Sequence, residues 1–256
     1  MKFEIITLFP DYFTLSLQQS LIGKALEKKL FDIEIINLRD FATDKHRTVD
    51  DTPYGGGGGM VMKVEPLDRC LQSLGYYHSD GSAGKNDDER IVLTSAAGLP
   101  FKQEMAIRYS LSKRLTIICG HYLGIDERLM ALYDIDEVSI GDYILTGGEP
   151  AAAVMLDAVA RLIPRVLGNF ESALRDSYMD QPLGSPCYTR PPEYEGHSVP
   201  EVLMSGDHKR IDTYRRREGL AKCFRNRPEL LKEAELSGEE IDILNDLKAT
   251  KTNRDR

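Results

Sequence analysis

Two periods of apolar and polar residues alternate along the chain as far as Pro164. KFEIITLF (2–9) is β-rich and stops at Pro10, LIGKALEKKL (21–30) has helical spacing, and FDIEIINL (31–38) alternates as a strand does. VEPLDRCLQSLGYY (64–77) predicts a helix, whereas HSDGSAGKNDDER (78–90), lacking bulky apolar residues, predicts a mobile loop. Buried strands are predicted at IVLTSAAG (91–98) and RLTIICGHY (114–122), with a helix over KQEMAIRYSLSK (102–113) between them. A short helix, DERLMALY (126–133), a strand, EVSIGDYIL (137–145), and a helix from about Pro150 to Pro164 complete the run.

Strands with helices between them imply an α/β fold with a mostly parallel sheet, whose ligands bind outside the carboxyl ends of the strands. Three predicted strand ends are made of small residues: TSAAG, CGHYLG and IGDYILTGG. Small residues there let a ligand approach main-chain N–H and C=O groups, so three such loops at one sheet edge favour a pocket over a set of tight turns. After Pro164 the pattern changes. RVLGNFESALRDSYMDQPLGSPCYTRPPEYEG (165–196) has no sustained period and reads as a linker or an ordered irregular arm, and from about Pro200 the chain turns helical. The expected organisation is an α/β domain over 1–167, a linker over 168–186 and a small all-helical domain over 187–256.

Hydrophobic content of 41% and charged content of 29% are those of an ordinary soluble globular chain. No apolar run approaches the roughly 20 residues that span a bilayer, so no membrane partner is expected. Glu4 and Pro10 interrupt the N-terminus where a signal peptide needs an unbroken apolar stretch, so a cytoplasmic location is expected. Cys70, Cys119, Cys187 and Cys223 are scattered in no metal or redox spacing and read as reduced, mostly buried thiols.

A net charge of −8 over 256 residues counts against a nucleic-acid partner, but the average conceals an asymmetry. HKRIDTYRRREGLAKCFRNR (208–227) holds eight Lys/Arg against two acids, which is +6 and leaves −14 for the rest of the chain. Phosphate binding follows the local field, so this segment is either an electrostatic footprint for a polyanion or a solvated helix face.

The junction SIGDYILTGGEPAAAVMLDAVAR (139–161) carries Gly141, Gly147 and Gly148 in neither dinucleotide nor P-loop spacing. Pro150 suits a first helical position, so a helix starts beside bare glycine backbone, and without a P-loop lysine a triphosphate is a poor fit. A ligand with a neutral or positive centre, read by main-chain atoms, fits better. The run Gly55–Gly59 costs about 0.5–1 kcal/mol per glycine to order relative to alanine in regular structure. It follows the charged and specific DKHRTVDDTPY (44–54), which favours a loop that RNA approaches closely over a plain flexible linker.

From ITLFP (6–10) to RPELL (227–231) the chain resembles the bacterial tRNA (guanine-N1)-methyltransferase family of knotted, SPOUT-type enzymes that use S-adenosylmethionine. DKHRTVDDTPYGGGGGM (44–60), GIDERL (124–129), SIGDYILTGGE (139–149), DAVARLIP (157–164), YTRPPEYEG (188–196) and VPEVLMSGDHKRI (199–211) carry the likeness. It implies a deep trefoil knot near the end of the α/β domain. It also implies a cofactor held by Thr94, Ser95, Ala96, Gly120, Tyr122, Ile140, Gly141, Asp142, Tyr143, Ile144, Leu145, Gly147 and Gly148. The implied reaction methylates N1 of the guanosine just 3′ of the tRNA anticodon. N1 carries a proton and lies on the Watson–Crick edge, so the base must be unstacked, the proton accepted and charge on O6 stabilised. The resemblance gives the first role to Asp176 and the second to Arg161. The alternatives from sequence alone are a solvated aspartate in an irregular segment and an i,i+4 ion pair between Arg161 and Asp157.

Further implications are a homodimer with the active site at the subunit interface, Asp176 coming from the partner's linker, and a need for Mg²⁺ at an unknown site. The anticodon stem-loop would meet Gly55, Gly56, Gly57, Gly58 and Gly59, and the cations Lys209, Arg210, Arg215, Arg216 and Arg217. Three departures touch the site. The family's usual GRYEG is GHYLG here, placing His121 and Leu123 where it has an arginine and a glutamate; a proline usual in the glycine run is Gly58; and Pro150 directly follows Glu149 where LPAM is usual. Other expectations are methylation at a different RNA position and a non-catalytic RNA-binding regulator.

Overall fold

Near-continuous apolar runs suit strands covered on both faces, and the chain places IIT, IVL and LTIIC in such strands. The computed structural model describes residues 1–78, 88–168, 176–179, 183–233 and 236–254, with main chain alone at 16, 233 and 250–254. The chain divides into two compact units, Met1–Gly168 and Asn169–Arg256.

In the first unit β1 (Lys2–Thr7) and β2 (Asp32–Asn37) precede a short antiparallel pair, β3 (Asp50–Asp51) and β4 (Val61–Met62). Three further strands follow: β5 (Glu89–Pro100), β6 (Arg114–Cys119) and β7 (Ile135–Ser139). β2–β1–β6–β5–β7 form one sheet in that order, and every pairing in it is parallel. α1 (Ser20–Glu27), α3 (Gln103–Ser110) and α5 (Glu149–Ala160) contribute to a core with Phe3, Ile5, Val92, Leu115 and Ile117. α2 (Val64–Ser73) and α4 (Arg128–Leu132) close the other core, with Ile6, Ile91 and Ile118. Phe3 and Ile5 against Ile6 show the two-residue period dividing one strand between two cores. Each fully buried Leu or Ile contributes about 1.5–3 kcal/mol, so the sheet supplies a firm frame for the loops at its edge.

Several boundaries differ from the sequence reading. The helices expected over 64–77, 102–113 and 150–164 end at Ser73, Ser110 and Ala160. The strand expected over 114–122 ends at Cys119, and the one over 137–145 ends at Ser139. Gly141, at φ +151°, turns the latter chain away, and Ser139 Oγ accepts from Gly141 N (3.2 Å) and donates to Gly141 O (3.1 Å). The apolar residues Ile140, Tyr143, Ile144 and Leu145 therefore belong to a loop that leaves the sheet, not to a strand. β5 conversely outruns its reading at both ends. Thr94 and Leu99 both pair with Val138, so Ser95–Gly98 loops out and pairing then resumes to Pro100. Of the loop expected over 78–90, Glu89 and Arg90 are strand, and 79–87 lie outside the described residues, as do 169–175 and 180–182 of the linker.

The second unit holds a small hairpin, β8 (Glu193–Tyr194) with β9 (His197–Ser198), and four helices among its described residues. They are α6 (Glu201–Met204), α7 (His208–Asn226), α8 (Leu230–Glu233) and α9 (Gly238–Arg254). Asp207 caps α7 by accepting from Arg210 N at 3.1 Å. Ile211, Leu220, Ala221 and Cys223 on α7 and Leu244 on α9 are buried.

Candidate active site

The small-residue ends of β5, β6 and β7 meet. Thr94 Oγ1 donates to Ile118 O (3.1 Å) and accepts from Gly120 N (3.0 Å), and Gly148 N donates to Gly120 O (2.8 Å). Gly148 is required by this closeness: a Cβ there would lie 2.0 Å from Thr94 Oγ1 and 2.7 Å from Gly120 N. Between the loops lies a cavity of about 550 Å³, lined by residues 93–97, 120–125, 137–141 and 143–148, with Glu127, Met130 and Ala151. The volume is that of a small-molecule site, and its place at the carboxyl ends of parallel strands is where such folds bind ligands.

Of the residues the resemblance marks for the cofactor, Thr94, Ser95, Ala96, Gly120, Tyr122, Ile140, Gly141, Tyr143, Ile144, Leu145, Gly147 and Gly148 line this cavity. Asp142 is exposed and is not among the lining residues. No Lys or Arg lines the cavity among the described residues, while Glu127 and Glu137 do. An anion would meet no Lys or Arg side chain there, whereas a cation would meet carboxylates and main-chain carbonyls. The Cys119 thiol at the end of β6 is held well above its usual pKa by burial and by the Glu149 carboxylate, so it stays protonated and unsuited to nucleophilic chemistry.

Reading by local pattern missed the pairing of His121 with Glu149. His121 Nε2 lies 2.7 and 2.9 Å from the two carboxylate oxygens, and Glu149 also accepts from Thr7 Oγ1 at 2.6 Å. The signal available was the departure from GRYEG, which marked His121 without naming its partner.

The glycine run is tied to the same cavity. Leu123 N donates to Met60 O (3.0 Å), Met62 N to Gly124 O (3.0 Å) and Asp126 N to Met62 O (2.9 Å). These bonds hold the end of the run against the 120–124 turn. Gly55, Gly56, Gly57 and Gly58 have no neighbour within 4 Å of a Cβ position, and Tyr54 beside them is wholly exposed. The backbone of this loop is thus open to a large partner.

Arg161 follows the last turn of α5, where its N–H donates to Asp157 O at 3.2 Å; it is half-buried and does not line the cavity. Asp176, in the second unit, is half-buried and its carbonyl accepts from Met179 N at 3.4 Å. On α7, Lys209, Arg210, Arg215 and Arg217 are exposed, and Arg215 lies 3.8 Å from Asp212. Arg216 is exposed as well but differs in its partner. Its Nε donates to Glu240 Oε1 at 2.8 Å, and Glu240 is buried and accepts a second bond from Ser237 N (2.7 Å). Burial alone would raise the Glu240 pKa, but the bonds from Arg216 and Ser237 outweigh it and hold the carboxyl below its usual range.

Among the described residues no group of three His, Cys, Asp or Glu side chains could hold a metal ion, and no helix is long and apolar enough to cross a membrane.

Residues 1–233 match the family model described as tRNA (guanine-1)-methyltransferase TrmD. Proteins named tRNA (guanine-N(1)-)-methyltransferase are similar over nearly their whole length. That of Desulforamulus reducens is 47% identical, covering 96% of this chain and 95% of its own, and that of Geobacter metallireducens is 47% identical, covering 96% and 98%. That of Brevibacillus brevis is 46% identical over 98% of this chain and 100% of its own.

Proposed function

Because the chain belongs to the tRNA (guanine-1)-methyltransferase TrmD family, we propose that it transfers a methyl group from S-adenosylmethionine to N1 of the guanosine just 3′ of the tRNA anticodon. The observation that carries the cofactor assignment is the cavity at the ends of β5, β6 and β7, whose described walls offer backbone and carboxylates and no Lys or Arg. That donor set suits a ligand bearing a sulfonium and an ammonium, and the close cradle at Gly148 and Gly120 suits recognition by main-chain groups. When bound, S-adenosylmethionine supplies an electrophilic methyl group and a neutral thioether leaving group.

Asp176 accepts the N1 proton, turning a poor nucleophile into a good one. Arg161 then stabilises the negative charge that the guanine spreads onto O6. The cofactor, held by the loops around residues 94–96, 120–122 and 140–148, would supply the methyl group that N1 receives as the carbon–sulfur bond breaks. A trefoil knot is part of this reading; what supports it is that Thr94 beside the β5 bulge, Gly120 after β6 and Gly148 before α5 lie within hydrogen-bond distance of one another. A homodimer is part of it too, with Asp176 delivered by the second copy. In its favour, Tyr122, Leu123, Tyr143 and Ile144 leave an exposed apolar rim around the cavity, which a second subunit would cover. Mg²⁺ enters no step.

Asp176→Asn is expected to lower methyl transfer by about 10²–10⁴-fold while leaving S-adenosylmethionine affinity intact. Full activity in that variant removes Asp176 from its role. Transcripts that differ only in the base 3′ of the anticodon test the substrate: methylation indifferent to that base points to another RNA position, and no methylation with retained RNA binding points to a regulator.

A further inference from the structure

We propose that the buried chain Thr7–Glu149–His121 is a latch that sets the spacing of the cavity's loops, and that cofactor affinity depends on it; the cofactor half of this inference rests on the reading above. Glu149 is the first residue of α5, is almost wholly buried, and has no part in the proton or charge steps. A carboxylate removed from water is stable there only if its oxygens are satisfied. Thr7 Oγ1, at the end of β1, donates to it at 2.6 Å, and His121 Nε2, from the turn after β6, stands 2.7 and 2.9 Å from its oxygens. Thr7 Oγ1 in turn accepts from Phe9 N at 2.9 Å, and the Phe9 and His121 rings pack with centroids 5.2 Å apart. One carboxylate thus joins the ends of two strands to the start of a helix.

The main chain makes the same join. His121 bridges Gly147 in an isolated antiparallel pair, and Gly148 N donates to Gly120 O. Bending the 120–124 turn away from α5 requires both this bridge and the carboxylate contact to break. An acid in the first turn of a helix is favourable in itself, but that explains Glu149 without explaining His121. His121 is also the single basic side chain on the described cavity wall. Where the family usually has an arginine, the shorter imidazole reaches the carboxylate with its ring held by Phe9. His121 and Glu149 are therefore positioning residues: they act through the loops and not on the reacting atoms.

Glu149→Gln and His121→Phe are each expected to raise the S-adenosylmethionine dissociation constant about ten- to a hundredfold, the size of a lost charge-assisted hydrogen bond. The kcat at saturating cofactor should change far less, a KM-against-kcat split that general unfolding does not produce. His121→Arg should recover most of the affinity that His121→Phe loses. The double variant Glu149→Gln, His121→Phe should bind no more weakly than the worse single variant. Without any ligand, the Gly124 and Gly148 amides should exchange faster in Glu149→Gln while those of Ile5 and Ile117 do not. Affinity within about threefold of the parent in both single variants, additive losses in the double, or unchanged exchange at Gly124 and Gly148 each overturn the latch. Failure of the parent to bind S-adenosylmethionine overturns the cofactor reading instead, and exchange then still decides whether the latch exists.

Discussion

The cavity of the first unit and helix α7 of the second treat charge in opposite ways. The cavity presents backbone, two carboxylates and no Lys or Arg among its described lining residues, and its one basic group is tied to a buried acid. α7 spreads Lys209, Arg210, Arg215 and Arg217 over exposed surface. A ligand held by fixed main-chain groups in a cavity gains from short, oriented contacts that salt screens little, whereas a polyanion held by exposed cations follows counterion release. Cofactor affinity should therefore depend on loop spacing and hardly on ionic strength, and tRNA affinity should do the reverse.

The largest effect that tests this contrast is expected from Gly148→Ala. The added Cβ would sit 2.0 Å from Thr94 Oγ1, 2.7 Å from Gly120 N and 2.8 Å from Cys119 Cα, all at the ends of buried strands that have little room to shift. Overpacking of this kind costs about 3 kcal/mol, which is about a hundredfold in S-adenosylmethionine affinity by calorimetry. The slope of tRNA binding against salt should not change. An alanine variant that binds cofactor as the parent does would break the comparison on its first side.

The same contrast governs what the sequence allows one to read. The sheet was legible because burial on both faces forces long apolar runs, and the three small-residue strand ends named most of the cavity wall. What stayed hidden was contact between distant segments. His121 and Glu149 are 28 residues apart, and nothing in the spacing of either announces the other. The departure of Ile140–Leu145 from the sheet was concealed because an apolar loop at a cavity rim has the composition of a strand. The charge of α7 was plain, yet charge alone could not mark Arg216, exposed like its neighbours, as a partner of the buried Glu240. The roles proposed for Asp176 and Arg161 rest on family likeness, since an aspartate in an irregular arm and an arginine after a helix carry no local signature of catalysis.

A middle-sized effect is expected from Glu240→Gln, which separates fold from binding on α7. The Glu240 carboxyl is buried, and the bonds from Arg216 and Ser237 hold its folded pKa below the ordinary value despite that burial. A depressed folded pKa contributes stability that is present above the unfolded pKa and is lost as pH falls through the folded one. The glutamine variant should thus be less stable by about 1–2 kcal/mol at neutral pH, with the gap closing in acid where the parent carboxyl is protonated as well. Chemical denaturation across pH reads this directly. A gap that persists in acid would mean that packing, and not the charged pair, links the two helices.

The smallest effects are expected from single cations, and they bear most directly on the second side of the comparison. Arg210→Ala and Arg217→Ala should each weaken tRNA binding by about 1 kcal/mol at moderate salt and reduce the log–log salt slope by about one. Arg216→Ala should lower stability and leave that slope alone, because its guanidinium is engaged by Glu240. None of the three should alter cofactor affinity. The measurement is tRNA binding titrated over ionic strength for the parent and each variant. A slope unchanged in both Arg210→Ala and Arg217→Ala would take the phosphates off α7. The open loop at Gly55–Gly58, tied to the cavity through Met60 and Leu123, would then have to carry RNA recognition through backbone and base contacts. Both ligands would in that case be read by main chain in the first unit, and the division of labour between the two units would be lost.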